Sequence, residues 1–319
     1  MIWSFMIRIS DHMWEDGSKD TTSVWYTKCP KYVDTDPNEV DLETWDKVIK
    51  FLAEKKYNML IVDIGDGIQF DSHPEISAPD AWSKEFLKKK LDEARALGLE
   101  VIPKLNFSTG HDTWLKEYRR MISTPIYYKV CADLIAETCE LFDHPRFFHL
   151  GLDEETEAHQ VRHEMAIIRG AKLYWHDSFF FFKEAEKNGA RPWVWSDYYW
   201  HHPELFLQNM PKEVLQSNWF YGVFKDYAKT DNAYTYIQTY EDLDKAGYDQ
   251  VPTGASYTQS INGIQTVAYA KDKLTPELLK GFMTCPWLST KKEFEHLFMF
   301  DIDRMYQGRQ KYYPETLED

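Results

Sequence analysis

The chain has 319 residues, 43% apolar and 16% aromatic, with a net charge of −15. That is enough apolar material for a large core, while the acidity and the lack of a basic stripe argue against a nucleic-acid partner. No run of about eighteen apolar residues is present, so nothing in the sequence reads as a membrane span.

Apolar, β-rich runs alternate with amphipathic helical patterns along the whole chain. Residues 3–9 read as a first strand. "DLETWDKVIKFLAEKK" then reads as a helix with Leu42, Trp45, Val48, Ile49 and Leu52 on one face. "YNMLIVDIG" is a second strand, followed by a long loop and the helix "SKEFLKKKLDEARALG", with Ser83 as its N-cap and Gly98 as its stop. "LEVIPKLNFS" is the third strand and precedes a helix around "IYYKVCADLIAETCELF". "RFFHLGLDE" is the fourth, followed by a helical region over "RHEMAIIRGAKLYWHDSFFFFKEAEKNG" that stops at Gly189. "RPWVWSDYYW", "EVLQSNWFYG", "YDQVPTGASY" and "GFMTCPWLST" supply strands five to eight. Helices are expected near 203–209, 234–246 and 261–280, and over "KKEFEHLFMFDIDRMYQ". The lysines at 88–90 read as a solvated helix face, and the phenylalanines at 179–182 as a packing face with one ring left outside.

The strands are nearly continuous apolar runs, as expected when both faces are covered. Eight strand–helix units predict an α/β fold, a (β/α)8 TIM barrel forming one domain over 1–319. An open doubly wound sheet would show a glycine-rich phosphate loop, and neither GxGxxG nor a P-loop pattern occurs. The opening "MIWSFMIRIS" lacks a basic region and reads as a strand rather than a signal peptide. Cysteines at 29, 131, 139 and 285 form no CxxC pair and read as free thiols in a reducing compartment. That makes the cytoplasm the default location, with a segment of an exported protein as the alternative.

In such a barrel the chemistry sits at the C-terminal ends of the strands. The polar and aromatic residues falling there are Arg8, then Asp63 and Asp66, then Asn106 and His111. Asp153, Glu154 and Glu155 end the fourth strand, with His149 on the same face as Asp153. Trp195 and Asp197, then Asn218, Trp219 and Tyr221, then Tyr257 and finally Trp287 follow. Each could be a turn or core residue alone; together they describe a site. There is no GxSxG elbow and no cysteine beside a paired histidine, which argues against acyl-transfer nucleophiles. His111, Asp66 and the acids at 153–155 could hold a metal, but HxH and HExxH are absent, and no metal or cofactor is assigned. Carboxylates ringed by Trp and Tyr suit glycoside cleavage. Asp197 would be the nucleophile if a separate one is used, and a non-catalytic carbohydrate-binding barrel is the other alternative.

"FHLGLDEE" resembles the H-x-G-G-D-E strand of glycoside hydrolase family 20, the β-N-acetylhexosaminidases. "VIPKLNFSTGH" is similar to that family's third-strand segment ending in P-G-H, "NMLIVDIGDG" to its second strand, and "WVWSDYYW" to its fifth. The resemblance implies a (β/α)8 barrel and substrate-assisted retaining catalysis, in which the 2-acetamido oxygen attacks the anomeric carbon. It implies Glu154 as general acid and base, Asp153 orienting the acetamido group, and His111 with Asp66 as a relay behind Glu154. Arg8 would hold the terminal sugar, Trp195, Trp219 and Trp287 would wall it, and Tyr257 or Tyr221 would bond the acetamido oxygen. His149 and Asp197 complete the substrate side, and the partner is a carbohydrate or glycoconjugate. The chain departs from the pattern at Leu152, where the family has a second glycine, and at Ser289, where it has a glutamate. The small domain that often precedes the barrel is not expected.

Two physical expectations accompany these roles. Asp153 and Glu154 can address one pocket only if the strand has begun to turn. A carboxylate beside Asp153 should also have a raised pKa, keeping Glu154 protonated. Glu155 is expected to be solvated or supporting.

Overall fold

The computed structural model describes residues 1–13, 37–161, 163 and 165–318. Its strands and helices alternate as β1 (Ile2–Arg8), α1 (Leu42–Glu54), β2 (Met59–Asp63), α2 (Lys84–Ala96), β3 (Glu100–Lys104), α3 (Pro125–Leu141), β4 (Phe147–His149) and α4 (Ala171–Lys187). They continue as β5 (Arg191–Trp195), α5 (Tyr198–His201), α6 (Pro203–Asn209), β6 (Leu215–Ser217), α7 (Asn232–Lys245), β7 (Thr253–Gly254), α8 (Asn262–Lys273), β8 (Gly281–Thr284) and α9 (Glu295–Tyr312). All pairings are parallel, in the order β6-β5-β4-β3-β2-β1-β8-β7. The bridges Gln216–Gln250 and Trp219–Thr253 join β6 to the β7 segment and nearly close the ring. This is the expected TIM barrel.

Side chains alternate between two layers, as the strand repeat requires. Trp3, Phe5 and Ile7 face the helices, whereas Ile2 and Met6 face inward with Met59, Ile61, Ile102, Phe147 and Trp193. The last inward positions of the first four strands are register partners: Arg8 with Asp63, Asp63 with Lys104, and Lys104 with His149. A continuous polar row therefore caps an apolar barrel interior.

Local signals hold where the backbone can follow them. Asp41 caps α1 through Thr44 N at 2.7 Å, and Ser83 caps α2 through Phe86 N at 3.2 Å. Gly98 and Gly189 take left-handed φ values of +86° and +85° just beyond α2 and α4. The helix expected from 162 instead starts at Ala171 (162 and 164 lie outside the described residues). The N–H groups of Ile167 and Arg169 go to the side chains of Gln160 and Glu155, which compete with helical bonding. Likewise α8 stops at Lys273, because Asp244 captures both the N–H and the hydroxyl of Thr275 ahead of Pro276.

Lys90 is not solvated like Lys88 and Lys89: it is buried and paired with Asp46 at 2.7 Å. None of the four phenylalanines is left outside. Phe181 and Phe182 are buried, Phe179 and Phe180 half-buried, and Phe181 stacks on Phe107. Cys131, Cys139 and Cys285 are free and buried, while Cys29 lies outside the described residues. No described helix is long and apolar enough to cross a membrane.

Candidate active site

The site is organised by the turn that ends β4. Gly151, Leu152 and Glu154 all have left-handed backbone, with φ of +71°, +67° and +55°. A Cβ at Gly151 would collide with the Asn106 carboxamide, so only glycine fits there. Asn106, just beyond β3, accepts from Leu152 N at 3.2 Å and donates to Asp153 Oδ1 at 2.8 Å. Leu152 bears a left-handed cost of about 1–2 kcal/mol while its side chain packs into the apolar layer under the helices. The turn expected from the sequence is thus present, and its consequence is direct. Asp153 Oδ2 and Glu154 Oε2 both lie 3.2 Å from His111 Nε2.

Burial alone would lower the His111 pKa and raise those of the two acids; their mutual attraction outweighs it. Although burial opposes the shift, Asp153 and Glu154 push His111 up to about 10. Asp153 is lowered, chiefly by His111, against its desolvation. Glu154 falls to about 2, because His111 and His159 outweigh its burial. His159 Nε2 lies 3.2 Å from Glu154 Oε1. The expectation of a raised Glu154 pKa is therefore overturned: imidazoles, not only a carboxylate, surround it. Asp197 is the raised acid instead, pushed to about 8 by burial and then by the charge of Asp153. Its Oδ2 accepts from Glu154 N at 2.8 Å, and its buried Oδ1 has no partner among the described residues.

His111, Asp153 and Glu154 are also the group whose ligand atoms, all within 4.8 Å of one another, could hold a metal ion among the described residues. A protonated His111 offers no lone pair at Nε2, and its charge offsets one of the two carboxylates.

Asp66 does not join His111. Its Oδ2 sits 2.6 Å from His12 Nδ1, and its Oδ1 accepts from Ser10 Oγ at 2.7 Å and Asn38 Nδ2 at 3.3 Å. The left-handed turn at Gly65 brings the exits of β1 and β2 together, so Asp66 ties those two strands. The expected relay gives way to Asp153 as the carboxylate on His111, shared with Glu154. Arg8 links β1 to the β8 exit through Leu288 O and Ser289 Oγ, at 3.3 and 3.4 Å, and pairs with Asp11. Sequence reading missed Lys104, which makes a buried 2.6 Å ion pair with Asp63 and approaches the Trp287 ring. A lysine closing an otherwise apolar strand was its signal.

The opposite side is aromatic. Trp195 contacts His149 at 4.5 Å and Trp287 at 5.6 Å between ring centroids. Trp287 Nε1 donates to Tyr221 Oη at 2.7 Å, and Tyr221 stacks on Trp219. Trp200 and Tyr236 extend this wall, stacked 3.8 Å apart. Neither was singled out from the sequence: Trp200 sits in the short helix α5 after β5, and Tyr236 comes from α7, remote in sequence. His149 Nδ1 accepts from Gly151 N, so its proton sits on Nε2; burial and then Lys104 keep the ring neutral. His149 Nε2 and Trp195 Nε1 are buried donors without a partner among the described residues. Tyr257, half-buried just after β7, has its phenol pKa raised by burial.

No family model matches the chain, and no curated protein is similar to it in sequence. Solved structures match in fold. A Flavobacterium johnsoniae chitobiase is 16% identical with a TM-score of 0.60, over 100% of this chain and 52% of that one. A Vibrio harveyi family 20 exo-β-N-acetylglucosaminidase in complex with N-acetylglucosamine is 13% identical with a TM-score of 0.59, over 99% and 57%. Dispersin B is 12% identical with a TM-score of 0.64, over 98% and 99%. The chain shares its barrel fold with these structures.

This chain spans just over half the length of the first two proteins and nearly all of dispersin B. Within the barrel, Leu152 turns left-handed, a conformation that the glycine of the resembled motif would adopt without strain. Ser289 is buried and contacts Arg8.

Proposed function

We propose that this chain, acting as one catalytic barrel, is an exo-acting retaining glycoside hydrolase for β-linked 2-acetamido sugars on a carbohydrate or glycoconjugate. The acetamido oxygen of the substrate attacks the anomeric carbon as the bond to the leaving oxygen breaks. Glu154 supplies the proton to that oxygen, then removes one from the water that opens the cyclic intermediate. Asp153 accepts a hydrogen bond from the acetamido N–H and faces the positive charge that develops, while His111 holds both acids in place. Trp195, Trp219 and Trp287 wall the sugar. Tyr221 accepts from Trp287, which leaves its own hydroxyl proton to donate to the acetamido oxygen, with Tyr257 beside it. Arg8, His149 and Asp197 complete the polar lining.

The observation that carries this reading is the His111-bridged pair of adjacent carboxylates on a left-handed turn, set opposite an aromatic wall. Asp197 suits a nucleophile poorly: burial favours its protonated form, and one oxygen is already spent on Glu154 N. The test is a panel of chromogenic aryl β-glycosides, comparing 2-acetamido sugars with 2-hydroxy counterparts, for wild type and Glu154→Gln. Turnover confined to 2-acetamido sugars and lost in the variant is expected. Cleavage of 2-hydroxy sugars sinks the substrate-assisted mechanism, and no turnover by wild type on either set sinks the hydrolase reading for these sugars.

A further inference from the structure

A second histidine reaches Glu154 from the solvent side. His159 lies in the short turn Ala158–Gln160 beyond β4, with Nε2 3.2 Å from Glu154 Oε1 and Nδ1 2.8 Å from Thr156 Oγ1. Its side chain is 41% exposed, against 3% for His111. The two imidazoles thus hold one oxygen of Glu154 each. That arrangement poses a chemical problem, since a general acid must carry a proton, whereas a carboxylate between two imidazoles is held ionised.

Resting on the glycosidase reading above, we propose that His159 is the positioning residue and proton source for Glu154, orienting the carboxylate in the empty site and protonating it when a sugar enters. In that step the Nε2–H bond of His159 breaks and an Oε1–H bond forms on Glu154. The imidazolium becomes neutral imidazole and the carboxylate becomes the acid. After Glu154 protonates the leaving oxygen, it recovers a proton from the attacking water and returns it to His159 Nε2 as the sugar leaves, which restores the carboxylate–imidazolium pair.

The two histidines differ in what holds their protons. His111 is buried and also faces Asp153, whose charge keeps it an imidazolium. His159 has Glu154 as its acidic partner and stands open to water. It feels His111 and Asp197 from the β3 and β5 exits, and His201 of α5 faces it as another titratable ring. A neutral sugar covering Glu154 and His159 expels water, and a desolvated ion pair is then disfavoured relative to its neutral form.

The test uses the full chain with His159→Gln, an exposed change that keeps a donor near Glu154 but removes the charge. The Glu154 carboxylate is titrated by difference infrared spectroscopy against a Glu154→Gln reference, without any substrate. Its midpoint should rise from about 2 toward the ordinary carboxylate range; an unmoved midpoint overturns the proposal. With aryl 2-acetamido glycosides, kcat should fall at least about tenfold for weakly acidic phenol leaving groups and stay near wild type for strongly acidic ones. Equal losses on both would mean a merely structural role and overturn it as well. If wild type cleaves none of these glycosides, the hydrolase reading fails on its own, and the infrared titration still decides whether His159 controls the Glu154 proton.

Discussion

Glu154 and Glu155 are chain neighbours at the end of one strand, and the fold sends them to opposite environments. Glu155 turns into the helix layer, where Arg169 Nε lies 2.9 Å from Oε1, and Oε1 also accepts from Arg169 N. Arg169 in turn reaches Asp177 at 3.0 Å and the carbonyl of Phe107, and both ion pairs are fully enclosed. Glu154 turns into the barrel mouth and is met by two histidines. An arginine keeps its charge at any working pH, whereas imidazole can release a proton. The partner's chemistry, more than burial, separates the carboxylate that anchors the loop from the one suited to proton transfer. Glu155 is accordingly a supporting residue, not a solvated one.

Substituting on each side of this contrast should give opposite signatures. Glu154→Gln should lower turnover of 2-acetamido glycosides by about 10²–10⁴-fold with a melting temperature close to wild type. A large loss of stability in that variant would erase the distinction. Arg169→Met leaves Glu155 and Asp177 buried without their cation and should cost about 3–5 kcal/mol in urea unfolding. A variant as stable as wild type would show that the Glu155 cluster anchors nothing.

Asp197, between the two environments, yields a pH effect. Its folded pKa of about 8 exceeds its ordinary value of 3.8. Its stabilising contribution is therefore fullest below pH 3.8 and is lost as pH rises toward about 8. Relative to wild type, Asp197→Asn should gain stability steadily across that window, by a few kcal/mol, and then level off. A flat difference would mean that Asp197 is ionised in the folded protein throughout. The smallest effect should come from the other end of β4, where Arg146 pairs with Glu100 at the surface. Arg146→Ala should change stability by less than about 1 kcal/mol and leave turnover unaltered, measured by the same unfolding and glycoside assays.

The barrel was legible because each element announces itself locally. A run such as "MLIVD" between polar turns, or a helix such as α1 with one apolar stripe, needs no distant partner to be recognised. The helix expected from 162 failed because its backbone donors were taken by Gln160 and Glu155, through contacts that no periodicity reports. In the same way, Asp66 was visible as a polar residue at a strand end, but its partner was not. The choice of His12 over His111 depends on how the first two exits pack together. Lys104 and Tyr236 joined the site only once register and the α7 approach brought them there.

By itself, then, the sequence determined the alternation of strands and helices, the (β/α)8 architecture and the concentration of acids and aromatic rings at one rim. Those follow from short-range periodicity and from the rule that polar residues interrupt apolar strands only near their ends. Tertiary structure alone decided that Asp153 and Glu154 share His111, that Asp197 holds the raised pKa and that Glu155 locks to Arg169. Charge state and pairing depend on distances of a few ångströms between residues tens of positions apart. Only the closed barrel, with its left-handed turn at β4, sets those distances.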